Sequence, residues 1–307
     1  MRIGVDIGGT KCAVVSGDQK GIVQKIHFQT TTPEETLSNI KKAVLALGKN
    51  AEAIGISCGG PLDAKNGIIQ SPPNLIGWKN VPITDQLSEL FHIPAYLCND
   101  ADACALAEHR YGNGKGTNNM IFLTFGTGMG AGLILNGKLY SGTNGMAGEI
   151  GHVRLSDHGP VGFGKQGSFE GFCSGGGIAQ LGKIKALERL QQGTPLPYCQ
   201  TVSDLDKLTA KFLAEKAREG DETAKEVYRI SGEMLGRGIS ILIDVLNPEM
   251  IVIGSIFSRS GDLLENFMAE TIKKEALSAS RAHCRIVPSM LGEQIGDYGA
   301  LAVAYGI

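Results

Sequence analysis

The sequence lacks several features that would assign it to a specialised class. It has no run of about 20 apolar residues that could cross a bilayer as a helix. No charged leader followed by an apolar stretch opens the chain, so we expect no secretory signal. Its seven cysteines are scattered without a CxxC pair, which favours reduced thiols over a disulfide framework. We therefore expect a cytoplasmic protein with no membrane partner.

Excess charge of either sign is also missing. Lys and Arg number 29 against 31 Asp and Glu, for a formal net charge of −2, so no general attraction to nucleic acid is expected. The GxxxxGK[ST] loop of P-loop proteins does not occur, which excludes that route to a nucleotide. Glycine, by contrast, is abundant at 43 of 307 residues, without a collagen-like period. We assign this glycine to turns and to loops that contact a ligand.

The stretch MRIGVDIGGTKCAVV at the start predicts two strands joined by a glycine turn. Alternating apolar residues predict one strand over 3–7 and another over 12–15. Glycine in the turn tolerates positive φ and allows a ligand to approach the backbone. The N–H groups beside Thr10 and Lys11 suit an anionic oxygen. Asp6, just before the turn, is placed to hold a hydrated Mg²⁺, although an ordinary hairpin with a solvated Asp explains the same stretch equally well.

A second strand, glycine turn and strand occurs later in the chain. Residues 119–125 predict a strand, Gly126-Thr127-Gly128-Met129-Gly130 the turn, and 131–135 the returning strand, followed by an Asn136-Gly137 hairpin signal. Such self-similarity predicts two related lobes that face each other across one nucleotide.

With this repeat, the strings DIGGTK and FGTGMGAG resemble the ROK family (repressors, unknown frames and sugar kinases). The resemblance implies an α/β, two-lobed, duplicated fold of the sugar-kinase, actin and heat-shock ATPase type (ribonuclease H-like), with an interlobe cleft. We expect a small N-terminal lobe of residues 1–116, to which a C-terminal helix at about 297–307 returns, and a larger lobe of residues 117–296. Family members are commonly dimers, so a homodimer is expected.

The resemblance implies ATP and Mg²⁺ as cofactors, with Asp6 as the metal residue, acting through water. The cofactor-binding residues number ten, Asp6 with its metal included, namely Asp6, Gly8, Gly9, Thr10, Lys11, Gly126, Thr127, Gly128, Gly175 and Gly254.

The string Asn99-Asp100-Ala101-Asp102 lies between a predicted strand over 95–98 and a helix that continues to Tyr111. An Asp at such a junction is often a helix N-cap, yet strand ends in open α/β sheets also bind ligands. The resemblance makes Asp100 the catalytic base and Asn99 a partner of a sugar hydroxyl. It leaves Asp102 as an acid of the first helical turn.

The string Gly148-Glu149-Ile150-Gly151-His152 brackets a Glu and a His with glycines, so both side chains can point into one cavity. A lone His is more often structural, but this string matches the sugar-binding motif of the family. The resemblance therefore implies hydrogen bonds from the sugar hydroxyls to Glu149 and His152. It also implies sugar contacts at Glu170, at Asn74 in a proline-rich loop, and at Gly60 behind the pocket.

One departure from the family stands out. Most ROK kinases bind a structural zinc with a cysteine cluster, whereas Val161, Phe163 and Ser168 occupy the three cysteine positions here. Two apolar residues and a hydroxyl cannot replace three thiolates, so we expect no structural zinc. Apolar packing by Val161 and Phe163 is expected to take its place. A rearranged site from His152, His158 and Cys173 is the alternative.

The string Thr32-Pro33-Glu34-Glu35 predicts the start of a helix that runs to about Leu47, with proline and acids in its first turn. Further helices are predicted over 203–218, 222–244, 263–276 and 296–303. In the second of these, Gly236 and Gly238 indicate close helix packing. The last, rich in Ala and Gly, is expected to pack against the first lobe.

Together the motifs predict transfer of the ATP γ-phosphoryl group to the 6-hydroxyl of a small-molecule sugar. Glucose and N-acetylglucosamine are favoured. Mannose, N-acetylmannosamine, allose, fructose and β-glucosides stay open as acceptors, and polyphosphate stays open as a donor. A sugar-responsive repressor is disfavoured, because the first strand begins at Arg2 and leaves no room for a helix-turn-helix. A non-catalytic sugar sensor is the remaining alternative, which the retained Asp100 argues against.

Overall fold

A computed structural model describes residues 1–48 and 50–306, and these form two compact units. The first unit comprises the described parts of Met1–Phe122, Gly132–Gly148 and 289–306, and the second comprises Leu123–Ala131 and Glu149–Pro288. By packing, residues 117–122, 132–148 and 289–296 thus belong with the N-terminal segment, although the sequence predicted them in the larger lobe. The division of the chain into two functional lobes stays a prediction.

The strands in chain order are β1 Arg2–Ile7, β2 Lys11–Asp18, β3 Gly21–Gln29, β4 Ile54–Cys58, β5 Leu62–Asp63, β6 Ile68–Ile69, β7 Val81–Pro82, β8 Ala95–Asn99, β9 Met120–Leu123, β10 Ala131–Leu135, β11 Lys138–Leu139, β12 Val161–Gly162, β13 Lys165–Gln166, β14 Met250–Ile253 and β15 Arg285–Pro288. The α-helices are α1 Pro33–Leu47, α2 Ile83–Phe91, α3 Asp100–Tyr111, α4 Phe169–Phe172, α5 Gly175–Gln191, α6 Ala210–Arg218, α7 Glu222–Leu246, α8 Ile256–Glu275, α9 Ser278–Arg281 and α10 Ile295–Val303. Short 3₁₀ turns occupy Ile150–His152, Val202–Lys207 and Gly292–Gln294.

The first unit is built on a mixed sheet of order β3-β2-β1-β4-β8. β1, β2 and β3 pair antiparallel, while β4 and β8 continue the sheet in parallel from β1. In the parallel register Ile7 lies opposite Cys58, and Cys58 lies opposite Asn99. The carboxyl ends of β1, β4 and β8 therefore lie side by side, and the residues that follow them meet at one edge of the sheet.

One face of this sheet carries the main apolar core of the unit. Ile3, Val5 and Ile7 are buried there and cluster with residues of α1, α2 and the loop that contains Trp78. Helix α1 begins where the sequence predicts, because the Thr32 side chain accepts the Glu35 N–H as an N-cap and a proline follows.

Helix α10 covers the opposite face, at backbone contact. A Cβ atom at Gly4 of β1 would lie 2.5 Å from the Leu301 backbone nitrogen, and one at Gly55 of β4 would collide with the Ala300 carbonyl and the Ala304 nitrogen. The prediction that the C-terminal helix packs against the N-terminal part of the chain is confirmed. Glycine at both strand positions is required by this close approach.

The second unit is largely helical. Helix α7 packs on α8, α5 and α4, and glycine again permits the contact. A Cβ at Gly236 would lie 2.6 Å from the Thr271 Cβ, and one at Gly238 would overlap the Phe169 ring, which confirms the predicted close packing. β14 is fully buried and pairs in parallel with β15. No helix within the described ranges is long and apolar enough to cross a membrane.

The single helix predicted over 203–218 is wrong. A 3₁₀ segment ends at Lys207, and α6 begins anew at Ala210. The cause is local: the Thr209 side chain accepts the Phe212 N–H at 3.1 Å and so caps a second helix. A hydroxyl that hydrogen-bonds its own backbone competes with helix continuation.

We expect Gly55→Ala to destabilise the protein by about 3 kcal/mol, because the added methyl group meets backbone atoms of α10 that cannot move independently. Chemical denaturation gives the value. Gly261→Ala in α8 is the matched control, since its Cβ meets only ordinary contacts of 3.8 Å or more and helix propensity favours alanine. Equal stability changes in the two variants would contradict the close approach of α10.

Candidate functional site

The turn between β1 and β2 forms as the sequence predicts. The Gly8 N–H donates to the Lys11 carbonyl at 3.0 Å, and the Thr30 hydroxyl donates to the Gly8 carbonyl at 2.7 Å. The turn does not use the positive φ that glycine tolerates, at either Gly8 or Gly9. Gly9 instead supplies room, since a Cβ there would lie 2.7 Å from the Asn74 carbonyl oxygen. The predicted phosphate turn and the predicted sugar residue Asn74 are therefore in contact.

The loop that carries Asn74 is irregular, as its prolines predict, but it is firmly anchored. Leu75 and Trp78 are buried, and the Trp78 indole N–H donates to the Thr31 carbonyl at 3.2 Å. These anchors leave Asn74 and Ile76 at the surface. Gly9, Thr10 and Lys11 of the adjacent turn are exposed as well.

Asp6 lies near the end of β1, on the face of the sheet that α10 covers. Burial raises the pKa of its carboxyl group from 3.8 to about 6, and the negative charges of Asp297 and Asp100 add to the shift. A hydrogen bond with Ser57 and the charge of Lys25 oppose it. Asp6 is therefore a desolvated carboxylate among other carboxylates, a setting in which a bound cation relieves repulsion.

Asp297, Lys25 and Ser57 were not identified from the sequence. Asp297 is buried in the first turn of α10 and forms an ion pair with Lys25 of β3, whereas Ser57 is the buried residue of β4 opposite Asp6. The sequence contained one signal, because Asp297 is the charged residue of an otherwise apolar helix. The pairing of Asp297 with Lys25, which is distant in sequence, was not predictable.

Asp100 is the first residue of α3, directly after β8. Asn99, not Asp100, caps the helix, because the Asn99 side-chain oxygen accepts the Asp102 N–H at 2.7 Å. By surface area Asp100 is an exposed residue, and Gly60 is exposed as well. A Cβ at Gly59 would lie 3.8 Å from the Asp100 Oδ2 atom. Desolvation by the protein atoms around the carboxyl group raises the pKa of Asp100, while the N–H groups of Ala101 and of Asp100 itself lower it. The N-cap alternative therefore applies to Asn99 and leaves Asp100 for another role.

In the second unit, three segments meet at the second glycine turn. The Gly126 carbonyl accepts the Gly175 N–H at 2.8 Å, at the start of α5. The Gly254 N–H, just after β14, donates to the Leu123 carbonyl at 2.9 Å. The structure thus brings together the predicted nucleotide residues Gly126, Gly175 and Gly254, with Thr127 exposed on the turn between them.

Glu170 connects this turn to the predicted sugar residues. Its Oε2 atom accepts the Met129 N–H at 3.0 Å, and a Cβ at Gly128 would lie 2.7 Å from the same oxygen. Gly151, between Glu149 and His152, packs against the Met129 carbonyl and the Glu170 side chain. Glu149 and His152 are exposed at the two ends of this 3₁₀ turn.

The stretch that stands where the family has its zinc cysteines forms the hairpin β12–β13. Val161 is 45% exposed and Phe163 81% exposed, so the expected apolar packing by these two residues is wrong. Cys173 is buried and donates to the Ser231 carbonyl, and burial raises the pKa of its thiol. Within the described part of the chain, no group of three or more His, Cys, Asp and Glu side chains is arranged to hold a metal ion, the alternative set of His152, His158 and Cys173 included.

We expect Asp6→Asn to be more stable than the wild type above pH 6 in metal-free buffer. Because the folded-state pKa of Asp6 exceeds its unfolded value, the folded protein loses stability as the pH rises from about 4 to about 6. Asparagine at position 6 carries no charge at any of these pH values, so the variant does not suffer this loss of stability, which is about 3 kcal/mol at pH 7. Unfolding at pH 4 and pH 7 measures it, with the exposed Asp157→Asn as control. A stability difference that does not grow with pH would contradict the assignment.

Comparison with known proteins shows the family and the fold of this chain. The sequence model of the ROK family matches residues 2–306. The glucokinase of Thermotoga maritima is 32% identical, over 98% of this chain and 96% of its own. The ROK glucokinase of Streptomyces griseus, solved with glucose and AMPPNP, has a TM-score of 0.76 at 30% identity and covers 99% of both chains. The ROK hexokinase of Thermus thermophilus has a TM-score of 0.79 at 26% identity, over 99% of this chain and 97% of its own. The predicted two-lobed α/β fold of the sugar-kinase, actin and heat-shock ATPase type is confirmed, and the chain belongs to the ROK family.

Proposed function

We propose that this protein is an ATP-dependent hexose kinase that transfers the γ-phosphoryl group to a 6-hydroxyl, with glucose or N-acetylglucosamine as acceptor. One observation carries the proposal: in a chain of this family, the sheet of the first unit brings the predicted phosphate turn and Asp100 to the same edge. A carboxylate beside a phosphate turn is the arrangement that transfer to an alcohol requires. The glucokinase relatives support a hexose as the acceptor.

Asp100 is proposed as the base. As the bond from the sugar oxygen to the γ-phosphorus forms and the bond between the γ-phosphorus and the bridging oxygen breaks, the hydroxyl proton passes to the Asp100 carboxylate. The raised pKa of Asp100 favours this step, because its carboxylate is more basic than that of an ordinary aspartate. The helix-capping bond of Asn99 holds the start of α3, so the base is fixed relative to β8.

Mg²⁺ fits the residues around Asp6. Carboxylate oxygen is the donor type that Mg²⁺ prefers, and a divalent cation relieves the repulsion among Asp6, Asp100 and Asp297. When bound, the ion neutralises phosphate charge. Asp6 would hold it through water, while the exposed backbone of Gly9, Thr10 and Lys11 would bind phosphate oxygens.

The second unit would supply the remaining contacts. The turn at Gly126–Gly128, with Gly175 and Gly254, is proposed to bind ATP. In this unit, Glu149, His152 and Glu170 are proposed as hexose contacts. For the first unit, the proposed hexose contacts are Gly60, Asn74 and Asn99. We further propose a cytoplasmic homodimer that binds neither nucleic acid nor membrane.

We expect Asp100→Asn to lower kcat by about 10²- to 10⁴-fold and to leave hexose affinity within a few-fold of the wild type. The amide preserves shape and can still hydrogen-bond a hydroxyl, but it cannot take the proton. A coupled ADP-release assay measures kcat, and calorimetry measures sugar binding.

Asp85→Asn, an exposed acid of α2 in the same unit, is the matched control and is expected to keep full activity. A normal kcat in Asp100→Asn would contradict the assignment of Asp100 as the base. A wild-type protein that binds sugar but phosphorylates no hexose, with either ATP or polyphosphate, would favour the sensor alternative.

A further inference from the structure

The tip of the β12–β13 hairpin carries a phenylalanine in a backbone conformation that disfavours bulky side chains. Val161 pairs with Gln166 and Gly162 with Lys165, so Phe163 and Gly164 are the two turn residues. Their φ angles are +43° and +75°. A two-residue hairpin turn with both φ values positive favours Asn-Gly or Gly-Gly, and a bulky side chain at the first position is an outlier.

Burial does not explain why a phenylalanine occupies position 163. Its side chain is 81% exposed, so little apolar surface leaves water when the hairpin forms. A residue that suits neither the turn nor the solvent points to a contact made by its ring.

That contact is with His152. The two rings have centroids 5.2 Å apart and planes at 86°, which is the edge-to-face arrangement that aromatic pairs favour. His152 is itself exposed at the end of a 3₁₀ turn. Phe163 is thus placed to hold the plane of the imidazole ring.

The hairpin is fixed to its surroundings on both strands. Lys165 Nζ donates to the His152 carbonyl at 2.6 Å, and Arg154 donates to the Gln166 carbonyl at 2.7 Å. On the other strand, the Gln180 side chain accepts the Val161 N–H at 3.0 Å and donates to the Val161 carbonyl at 2.8 Å. These bonds hold the tip at a defined position beside the histidine.

The hairpin also lies against a second predicted sugar residue. A Cβ at Gly162 would lie 2.8 Å from the Glu170 Cβ, so β12 is in direct contact with that side chain. A single element therefore supports both His152 and Glu170.

We propose that Phe163 is a positioning residue that orients the His152 imidazole toward the hexose. The β12–β13 hairpin holds Phe163 in place through protein contacts alone, without a metal ion. This inference rests on the proposed function, since His152 is assigned there to the sugar. The ring contact itself is a property of the free protein and is testable without substrate.

The test is Phe163→Asn, because asparagine suits the turn better than phenylalanine does but removes the ring. We expect a melting temperature equal to or above that of the wild type, and a KM for the hexose about three- to tenfold higher. The KM for ATP and kcat are expected to stay within twofold. Phe163→Tyr keeps the aromatic edge and is expected to restore the wild-type KM.

Proton NMR of the substrate-free protein gives the independent readout. The His152 ring resonances, assigned by their loss in His152→Gln, are expected to shift in Phe163→Asn and to remain in place in Phe163→Tyr, because the ring current of residue 163 acts on them. Unchanged resonances together with an unchanged hexose KM in Phe163→Asn would overturn the inference. A parallel loss of stability and of every kinetic parameter would overturn it as well, since the role would then be structural. If the wild type phosphorylates no hexose, the proposed function fails, whereas the resonance comparison still decides whether Phe163 holds the histidine.

Discussion

Helix α10 lies so close to β1 and β4 that no side chain fits between them at Gly4 and Gly55. This contact determines the surroundings of Asp6, because Asp6 lies on the same face of the sheet. A Cβ at Gly296 would lie 2.7 Å from the Asp6 carboxylate, so the helix begins directly over the acid. The helix also brings Asp297, whose charge adds to the effect of burial on the pKa of Asp6. Close packing thus creates a desolvated carboxyl group whose pKa lies above that of an exposed aspartate.

The second unit depends in the same way on glycine, here around Glu170. This one side chain packs against three glycines, namely Gly128 of the second glycine turn, Gly151 of the turn that carries His152, and Gly162 of the β12–β13 hairpin. Glu170 also accepts the Met129 N–H of the second glycine turn. A predicted sugar residue is therefore hydrogen-bonded to a turn that is predicted to bind the nucleotide.

Much of this was accessible from the sequence. The turn at Gly8 and Gly9, the N-cap at Thr32 and the candidate acid Asp100 follow from local signals, since each involves residues a few positions apart. Signals of the same kind failed at Thr209, where a side chain restarts a helix that periodicity predicts to continue. They failed again at Phe163, because an apolar residue predicts burial and cannot reveal a strained, exposed turn.

By itself, the sequence determined the strands and turns, the family, and which residues are candidates for phosphate, sugar and proton transfer, because motifs and periodicity are short-range properties. Only the tertiary structure decided how those residues behave. The raised pKa of Asp6 depends on α10, which comes from the other end of the chain, and the ring contact of His152 is made by a phenylalanine on a separate hairpin. Desolvation and ring contacts depend on which atoms surround a group in space, and spacing along a chain does not encode that.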